Sequence, residues 1–255
     1  MRVASAVVLV PAALGVIWTG GYLFASVVTV AAAAMGWEWA NLTRCGGTAA
    51  TIIALANAAA CGALALGFPV VAFVAVGSGA VLTSIAAREA NAAWASLGVV
   101  IIALPCLAVL WLAGAFGRVG LLWLFLTVWA TDTGAFVAGR SIGGRRLAPA
   151  LSPNKTWAGF FGGLAAAALV GWAFARLAGV SAALVPASIA LSVAAQLGDL
   201  AESAAKRRFG VKDSGHLIPG HGGLLDRLDG MLGASALAWL VAFWTGAGAL
   251  FWRGS

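Results

Sequence analysis

The length of the uninterrupted apolar runs is the feature that most constrains how this chain can fold. Stretches such as VVTVAAAAMG and LAAAALVGWA recur from end to end, and 62% of the residues are hydrophobic while only 9% are charged. Soluble domains carry roughly 25% charged residues, and a helix needs ~20 apolar residues to cross a bilayer core. The runs do not alternate in polarity as the strands of a membrane barrel do. The sequence therefore predicts an all-α, polytopic integral membrane protein.

Glycine, proline and charged residues divide these runs into candidate helices. Nine are predicted, over residues 3–19, 22–40, 48–66, 69–87, 92–115, 119–139, 157–176, 182–200 and 230–251. Two long polar segments, 140–156 and 201–229, lie between them. The small residues of GFFGG, residues 159–163, predict a close helix contact, either within the fold or in a homodimer.

The distribution of positive charge predicts how the helices are oriented. With a cytoplasmic N-terminus and nine alternating spans, twelve of the fifteen lysines and arginines fall on the inner side, and only Arg118, Arg176 and Arg253 fall outside. Cytoplasmic loops of membrane proteins are enriched in Lys and Arg. We therefore expect the C-terminus outside and both polar segments in the cytoplasm. The net charge of +7 is then explained by cations that face anionic lipid headgroups, and no nucleic-acid partner is expected.

Acidic residues are rare and concentrated in one part of the chain. Six of the eight lie between Asp132 and Asp229. A charged aspartate at the centre of a spanning helix costs roughly 2.5–3.5 kcal/mol on insertion scales, so it needs a function or a partner. Asp132 and Asp199 fall near the inner ends of two predicted helices. From the residues alone, a functional carboxylate and a buried ion pair with a neighbouring arginine both remain open.

The spacing of the polar residues groups them further. Gln196, Asp199, Glu202 and Lys206 are spaced 3, 3 and 4 residues apart, which places them on one helical face. Asp226 and Asp229 are likewise three residues apart. Carboxylates from two segments can hold Mg²⁺, which takes oxygen ligands and keeps places for water and substrate phosphate.

Residues suited to phosphate surround these acids. They are Lys206, Arg207, Lys212 and Arg227. The glycines of PGHGG allow backbone N–H groups to approach an anion. In SPNKTW, Ser152 or Asn154 is expected to cap the seventh helix, whose N-terminus favours phosphate. These features predict a site for magnesium and polyphosphate at the cytoplasmic membrane surface, where a soluble nucleotide meets a lipid.

The stretch SAAKRRFGVKDSGHLIPGHGGLLDRLDG, residues 203–230, resembles the signature of the phosphatidate cytidylyltransferases, also called CDP-diacylglycerol synthases. The matching positions are Ser203, Lys206, Arg207, Lys212, Asp213, Gly215, Ile218, Pro219, His221, Gly222, Gly223, Asp226, Arg227 and Asp229. DTGAFVAGRSIGG, LSPNKTWAGFFGG and QLGDLAES resemble further blocks of the family, in the family order, so the resemblance covers roughly residues 119–232. Ala205 replaces a larger apolar residue, and Ala158 stands where the family often has an acid.

The resemblance implies a nucleotidyltransferase of phospholipid biosynthesis that converts CTP and phosphatidic acid to CDP-diacylglycerol and pyrophosphate. It also implies Mg²⁺, with room for a second cation, and a bacterial inner membrane with the active site facing the cytoplasm. Residues 1–118 are then expected to act as a scaffold that admits lipid, and residues 119–255 to carry catalysis.

The resemblance also assigns site residues. The metal ligands are Asp199 and Asp226, and the catalytic residues are Asp199, Asp226, Lys206, Lys212 and Arg227. The substrate-binding residues are Asp132, Arg140, Asn154, Lys155, Glu202, Arg207, Asp213, His221 and Asp229. Asp132 and Asp229 are the second candidates for metal binding, and His221 is expected either to donate to a phosphate or to hold the turn.

Two other classes of protein remain open from the sequence. The first is a related CTP-using membrane enzyme with another lipid acceptor, such as a CDP-archaeol synthase or a polyprenol kinase. The second is an ion-coupled transporter in which Asp132 and Asp199 line a path. A transporter would be expected to have polar or unwound helices near mid-membrane in both halves of the chain, and the first half has almost none.

The charge count yields a topology that can be measured. A reporter fused after Arg253 is expected to be periplasmic, and a reporter inserted within residues 144–150 is expected to be cytoplasmic. Paired alkaline phosphatase and green fluorescent protein fusions distinguish the two sides. A cytoplasmic C-terminus would mean an even number of spans, with residues 3–40 wrongly divided at Gly20.

Overall fold

A computed structural model describes residues 2–87, 91–215, 217 and 222–245. Its elements in chain order are α1 (Arg2–Thr19), α2 (Gly21–Thr43), α3 (Gly47–Ala65), α4 (Pro69–Ala86), α5 (Ala92–Ser141), β1 (Arg146–Ala148), β2 (Ser152–Thr156), α6 (Trp157–Ala173) with a short π-helical continuation (Phe174–Ala178), α7 (Leu184–Arg208) and α8 (Leu225–Thr245). The backbone of Gly117 is not helical, so α5 consists of two helical segments. Within the described residues, helices lie at the predicted positions; residues 246–251 of the ninth predicted helix lie outside them.

The apolar helices make this an integral membrane protein. Within the described ranges, six helices are long and apolar enough to cross a bilayer, namely α2, α3, α4, α5, α6 with its continuation, and α7. The 50-residue α5 counts once among these six, although it is broken at Gly117. The number of nine spans and the sides of the two termini stay predictions.

The two polar segments are more ordered than the sequence predicts. α7 continues to Arg208 and α8 begins at Leu225, so much of the segment 201–229 is helical. In the segment 140–156, β1 and β2 form an antiparallel hairpin. The prediction of an all-α chain is therefore correct except for this hairpin.

The hairpin ends directly at α6 and determines how that helix is capped. Arg146 pairs with Thr156 across the two strands, and the N–H of Trp157 donates to the carbonyl oxygen of Arg145 over 3.1 Å. The hydroxyl oxygen of Thr156 accepts the N–H of Gly159 over 3.0 Å. The expectation that Ser152 or Asn154 caps α6 is wrong, because both residues lie within β2.

The chain divides into two compact units that do not follow the predicted regions 1–118 and 119–255. Unit 1 comprises Met1–Trp111 and Arg208–Leu228. Unit 2 comprises Leu112–Arg207 and Asp229–Ser255. Most of the family-like signature thus packs with the first hundred residues.

Aromatic contacts join the end of α2 to the signature segment within unit 1. The indole N–H of Trp39 donates to the carbonyl oxygen of Trp94 over 2.7 Å. The ring of Trp94 meets Phe209 edge to face, with the centroids 5.6 Å apart. The guanidinium of Arg44 lies 3.5 Å from the carbonyl oxygen of Phe209. The end of α2 and the segment after α7 therefore lie on the same side of unit 1.

Glycines allow the helices of unit 2 to approach closely. A Cβ added at Gly134 of α5 would lie 2.6 Å from the carbonyl oxygen of Gly162 in α6. One added at Gly159 would lie 2.8 Å from the carbonyl oxygen of Ala135. The close contact predicted from GFFGG is therefore made within unit 2, and these glycines give no separate support for a homodimer.

The α5–α6 contact can be tested with two alanine substitutions in the same helix. Gly134→Ala places a methyl group against the α6 backbone, whereas Gly114→Ala meets nothing within 4 Å. Overpacking typically costs about 1–3 kcal/mol, while Gly to Ala in an open helix position gains roughly 0.5–1 kcal/mol. We expect Gly134→Ala to lower the melting temperature in detergent and Gly114→Ala to leave it unchanged or higher. Equal melting temperatures would contradict the close contact.

Candidate active site

Three aspartates of unit 2 lie close enough for their charges to act on one another. Asp132 belongs to α5, Asp199 to α7 and Asp229 to α8. The like charge of Asp199 acts on both other carboxyl groups, and the charge of Asp132 also acts on Asp229. Asp132 is exposed, and the other two are half-buried. The structure thus brings together three acids that the sequence places far apart.

Lys155 supplies a positive charge to this group. Its ammonium nitrogen lies 2.6 Å from Oδ2 of Asp199, with 24% of the lysine side chain and 38% of the aspartate side chain exposed. Successive residues of a strand point to opposite faces, so Lys155 is half-buried while Asn154 is exposed. The hydroxyl of Ser203 also donates to Oδ1 of Asp199, over 3.4 Å. The hairpin therefore serves to bring a lysine to the acid on α7.

The polar face of α7 forms as predicted. Lys206 makes an ion pair with Glu202, which is buried, at 2.5 Å. The charge of Lys206 also acts favourably on Asp229. The amide of Gln196 donates to the carbonyl oxygen of Phe160 over 3.3 Å, which ties this face to α6.

Arg207, at the end of α7, contacts the hairpin rather than the acids. Its Nε donates to the carbonyl oxygen of Leu151 in the hairpin turn, over 3.4 Å. The guanidinium is exposed at the same time. This contact links α7 to the segment that carries Lys155.

Asp226 of unit 1 accepts hydrogen bonds from two parts of the signature loop. Its Oδ2 accepts three hydrogen bonds of 2.9 Å, from the N–H and hydroxyl of Ser214 and from the N–H of Gly223. Gly222 has φ 81°, a conformation that a residue with a side chain adopts only with strain. Asp226 therefore has a structural role in addition to any role with substrate.

Glu38 is a buried acid of unit 1 whose position beside the signature segment was not predicted from the sequence. It lies in α2 and is 2% exposed. Its two carboxylate oxygens accept the backbone N–H groups of Leu224 and Leu225 over 2.9 and 2.7 Å. An acid within an apolar helix was the available signal, but its partners lie 186 and 187 residues further along the chain.

The remaining predicted cations lie at the surface. Lys212, Arg227 and Arg140 are exposed, as is Asp213 in the signature loop. Exposure leaves these side chains accessible to a soluble ligand. His221 lies outside the described residues.

The residues suit a divalent cation chemically, but they do not form a complete site. Asp132, Asp199 and Asp229 offer carboxylate oxygens, the ligand type that Mg²⁺ prefers. Across residues 2–87, 91–215, 217 and 222–245, no group of three or more His, Cys, Asp or Glu side chains is arranged to hold a metal ion. Asp199 and Asp226 belong to different units, so their predicted sharing of one metal stays a prediction.

The Lys155–Asp199 pair can be measured by a double-mutant cycle on stability. Lys155→Met keeps the aliphatic stem and removes the charge, and Asp199→Asn keeps the shape. Residues in contact couple by roughly 0.5–3 kcal/mol, whereas distant residues add within about 0.3–0.5 kcal/mol. We expect coupling in that higher range from denaturation in detergent, and near-additivity when Arg176→Met replaces Lys155→Met. Additivity in both cycles would contradict the ion pair.

Comparison with known proteins extends the resemblance beyond the polar segments. The profile of the cytidylyltransferase family matches residues 1–244. A phosphatidate cytidylyltransferase of Brucella suis biovar 1 (strain 1330) is 37% identical over 255 residues, covering 94% of this chain and 91% of that protein. The Brucella melitensis protein of the same name gives the same values. A phosphatidate cytidylyltransferase of Staphylococcus epidermidis (strain ATCC 35984) is 49% identical over 115 residues, covering 44% of each chain.

The motifs alone support a resemblance to the family over residues 119–232, and these matches extend it to residues 1–244. The family profile includes the N-terminal helices, and those helices pack with the signature segment in unit 1. The chain belongs to the cytidylyltransferase family.

Proposed function

We propose that this protein transfers the cytidylyl group of CTP to phosphatidic acid, producing CDP-diacylglycerol and pyrophosphate. The observation that carries the proposal is the 37% identity to a phosphatidate cytidylyltransferase over 94% of this chain. The signature of residues 203–230 and the cluster of acids and lysines in unit 2 fit the same reaction. The product places the enzyme in phospholipid biosynthesis.

The reaction is a displacement at phosphorus. An oxygen of the lipid phosphate forms a bond to the α-phosphorus of CTP, and the bond from that phosphorus to the β-phosphate oxygen breaks, so that pyrophosphate leaves. The second pKa of a phosphate monoester is about 6, so the attacking oxygen is already ionised at neutral pH. No side chain has to act as a general base. Catalysis then depends on orienting two anions and neutralising their charge.

The cations of the chain are suited to that task. Lys155 forms an ion pair with Asp199, and Lys206 forms one with Glu202. These pairs fix the positions of the two ammonium groups for phosphate oxygens. Lys212 and Arg227 are exposed and accessible to a nucleotide entering from water. Arginine binds phosphate through a planar fork of donors and lysine binds it as a point charge.

Magnesium is the proposed cofactor, with Asp199 and Asp226 as its first ligands and Asp132 and Asp229 as second candidates. Three mutually repelling carboxylates in unit 2 support a cation there, because a cation would offset their like charges. When bound, it would neutralise charge on the triphosphate. We further place the enzyme in a bacterial inner membrane with this chemistry on the cytoplasmic side, supported by the positive-inside charge distribution.

The assay uses purified protein in detergent micelles containing phosphatidic acid and magnesium. CTP labelled at the α-phosphate should yield labelled lipid and one pyrophosphate per turnover. CTP labelled at the γ-phosphate should yield none, whereas a lipid kinase would give the opposite result. Archaeal-type ether lipid phosphate as acceptor tests the related synthase. No labelled lipid from the α-label with phosphatidic acid under any divalent cation would overturn the proposal.

The two proposed metal ligands should behave as one functional unit. Asp199→Asn and Asp226→Asn keep shape and remove charge, so each is expected to reduce turnover nearly to zero. The double variant should be hardly worse than either single variant, because residues acting together are non-additive. Turnover is measured against magnesium and manganese concentration after the melting curve of each variant has shown that it is folded. Multiplicative losses, or unchanged metal dependence in the residual activity, would assign the metal to other residues.

A further inference from the structure

Glu38 is an acid buried in an apolar helix, where a carboxylate is costly unless it has partners. It lies in the apolar helix α2, between Trp37 and Trp39, and it is 2% exposed. Burying an ionised group is expensive unless partners satisfy it. In the described part of the chain, Glu38 bonds to backbone N–H groups and makes no ion pair.

Those N–H groups belong to the start of α8. Oε1 accepts the N–H of Leu224 over 2.9 Å, and Oε2 accepts the N–H of Leu225 over 2.7 Å. The first N–H groups of a helix have no acceptor within the helix, and a negative charge there is favourable. A residue of the same segment normally caps a helix start, whereas here the cap comes from α2.

The signature loop is shaped around the same carboxylate. A Cβ at Gly215 would lie 2.7 Å from Oε1 of Glu38, and a Cβ at Gly223 would lie 2.7 Å from Oε2. Neither glycine has a positive φ. A side chain at position 215 would collide with Glu38, and one at position 223 would collide both with Glu38 and with the hydroxyl of Ser214, 2.3 Å from the added Cβ. Gly223 matches a glycine of the signature, and Gly215 matches a position that takes a small residue.

Asp226 holds the same loop from the other side. It follows Leu225 directly, and its Oδ2 binds Ser214 and Gly223. Glu38 contacts the residues immediately next to these. The two carboxylates therefore fix the same two stretches of the loop, 214–215 and 223–225, relative to the first turn of α8.

We propose that Glu38 is a positioning residue of the enzyme. It anchors the start of α8 and the signature loop to α2, and so sets the position of Asp226 and Arg227 for cytidylyl transfer without touching the substrates. The functional half of this proposal rests on the proposed function. The anchoring half does not, because it concerns hydrogen bonds that can be measured without turnover.

The principal variant is Glu38→Gln, which keeps the volume but replaces one acceptor oxygen with an NH₂ group. The matched control is Thr43→Val, also buried in α2, whose hydroxyl donates to the carbonyl oxygens of Trp39 and Ala40 in its own helix and also bonds to the Cys45 side chain. Hydrogen–deuterium exchange of peptides spanning residues 222–230 measures directly how well the N–H groups bound by Glu38 are protected. We expect faster exchange in Glu38→Gln and wild-type exchange in Thr43→Val. Unchanged exchange in Glu38→Gln would overturn the anchoring.

Kinetics then decide whether the anchor matters for the reaction. Changing residues that orient functional groups typically lowers activity about 10–100-fold. We expect kcat of Glu38→Gln to fall in that range, with the KM for phosphatidic acid near that of Thr43→Val. Glu38→Gln and Asp226→Asn should be non-additive. Control-like kcat, or a loss only in proportion to unfolded protein, would overturn the positioning role.

A second variant keeps the test decisive if Glu38→Gln does not fold. Gly215→Ala leaves the buried acid in place but sets a methyl group against it, with only Glu38 atoms among its three nearest contacts. It should produce the same faster exchange and lower kcat, while Gly62→Ala, which meets nothing within 4 Å, should not. Wild-type behaviour of Gly215→Ala would contradict the proposal. If the wild-type enzyme makes no CDP-diacylglycerol, the proposed function fails, whereas the exchange measurements still decide whether Glu38 anchors the loop.

Discussion

The close approach of helix backbones in unit 2 is the constraint on which the acidic cluster depends. Aspartate has a short side chain, so carboxylates on different helices meet only if the backbones come near each other. Gly198 precedes Asp199, and a Cβ at Gly198 would lie 2.5 Å from the carbonyl oxygen of Asp229. The glycine next to one acid is thus the contact that brings the backbone of the next acid within reach. Gly134, two residues after Asp132, likewise allows close approach of α5 to α6, the helix that follows Lys155.

The two units satisfy their acids by different means, and the difference indicates which acids are available for chemistry. In unit 1, Glu38 and Asp226 bond mainly to backbone N–H groups and fix the course of the loop. In unit 2, Asp199 pairs with a side-chain partner, the ammonium of Lys155. An ammonium can exchange a carboxylate for a phosphate without any rearrangement of the backbone.

The sequence predicts what depends on local patterns and misses what depends on distant partners. Apolar runs locate the helices, and the spacing from Gln196 to Lys206 defines the polar face of α7, because both follow from helical periodicity. The hairpin could not be predicted because SPNKTW contains both a turn-forming pair and candidate capping residues. Thr156 becomes the cap because it pairs with Arg146 on the neighbouring strand, which the local sequence does not indicate. The contacts of Glu38 could not be predicted because its hydrogen-bond partners are backbone N–H groups, which every residue except proline has.

The division of the chain into units changes what the N-terminal helices mean. A scaffold that only admits lipid would tolerate any apolar residue at most positions, since lipid-facing helices need hydrophobicity and little else. The end of α2 is different, because Trp39, Arg44 and Glu38 each contact the segment after α7 or a residue that packs on it. Backbone groups of the signature segment are thus bound by residues outside it. An alignment restricted to the signature would describe the chemistry but omit the part of the protein that fixes its geometry.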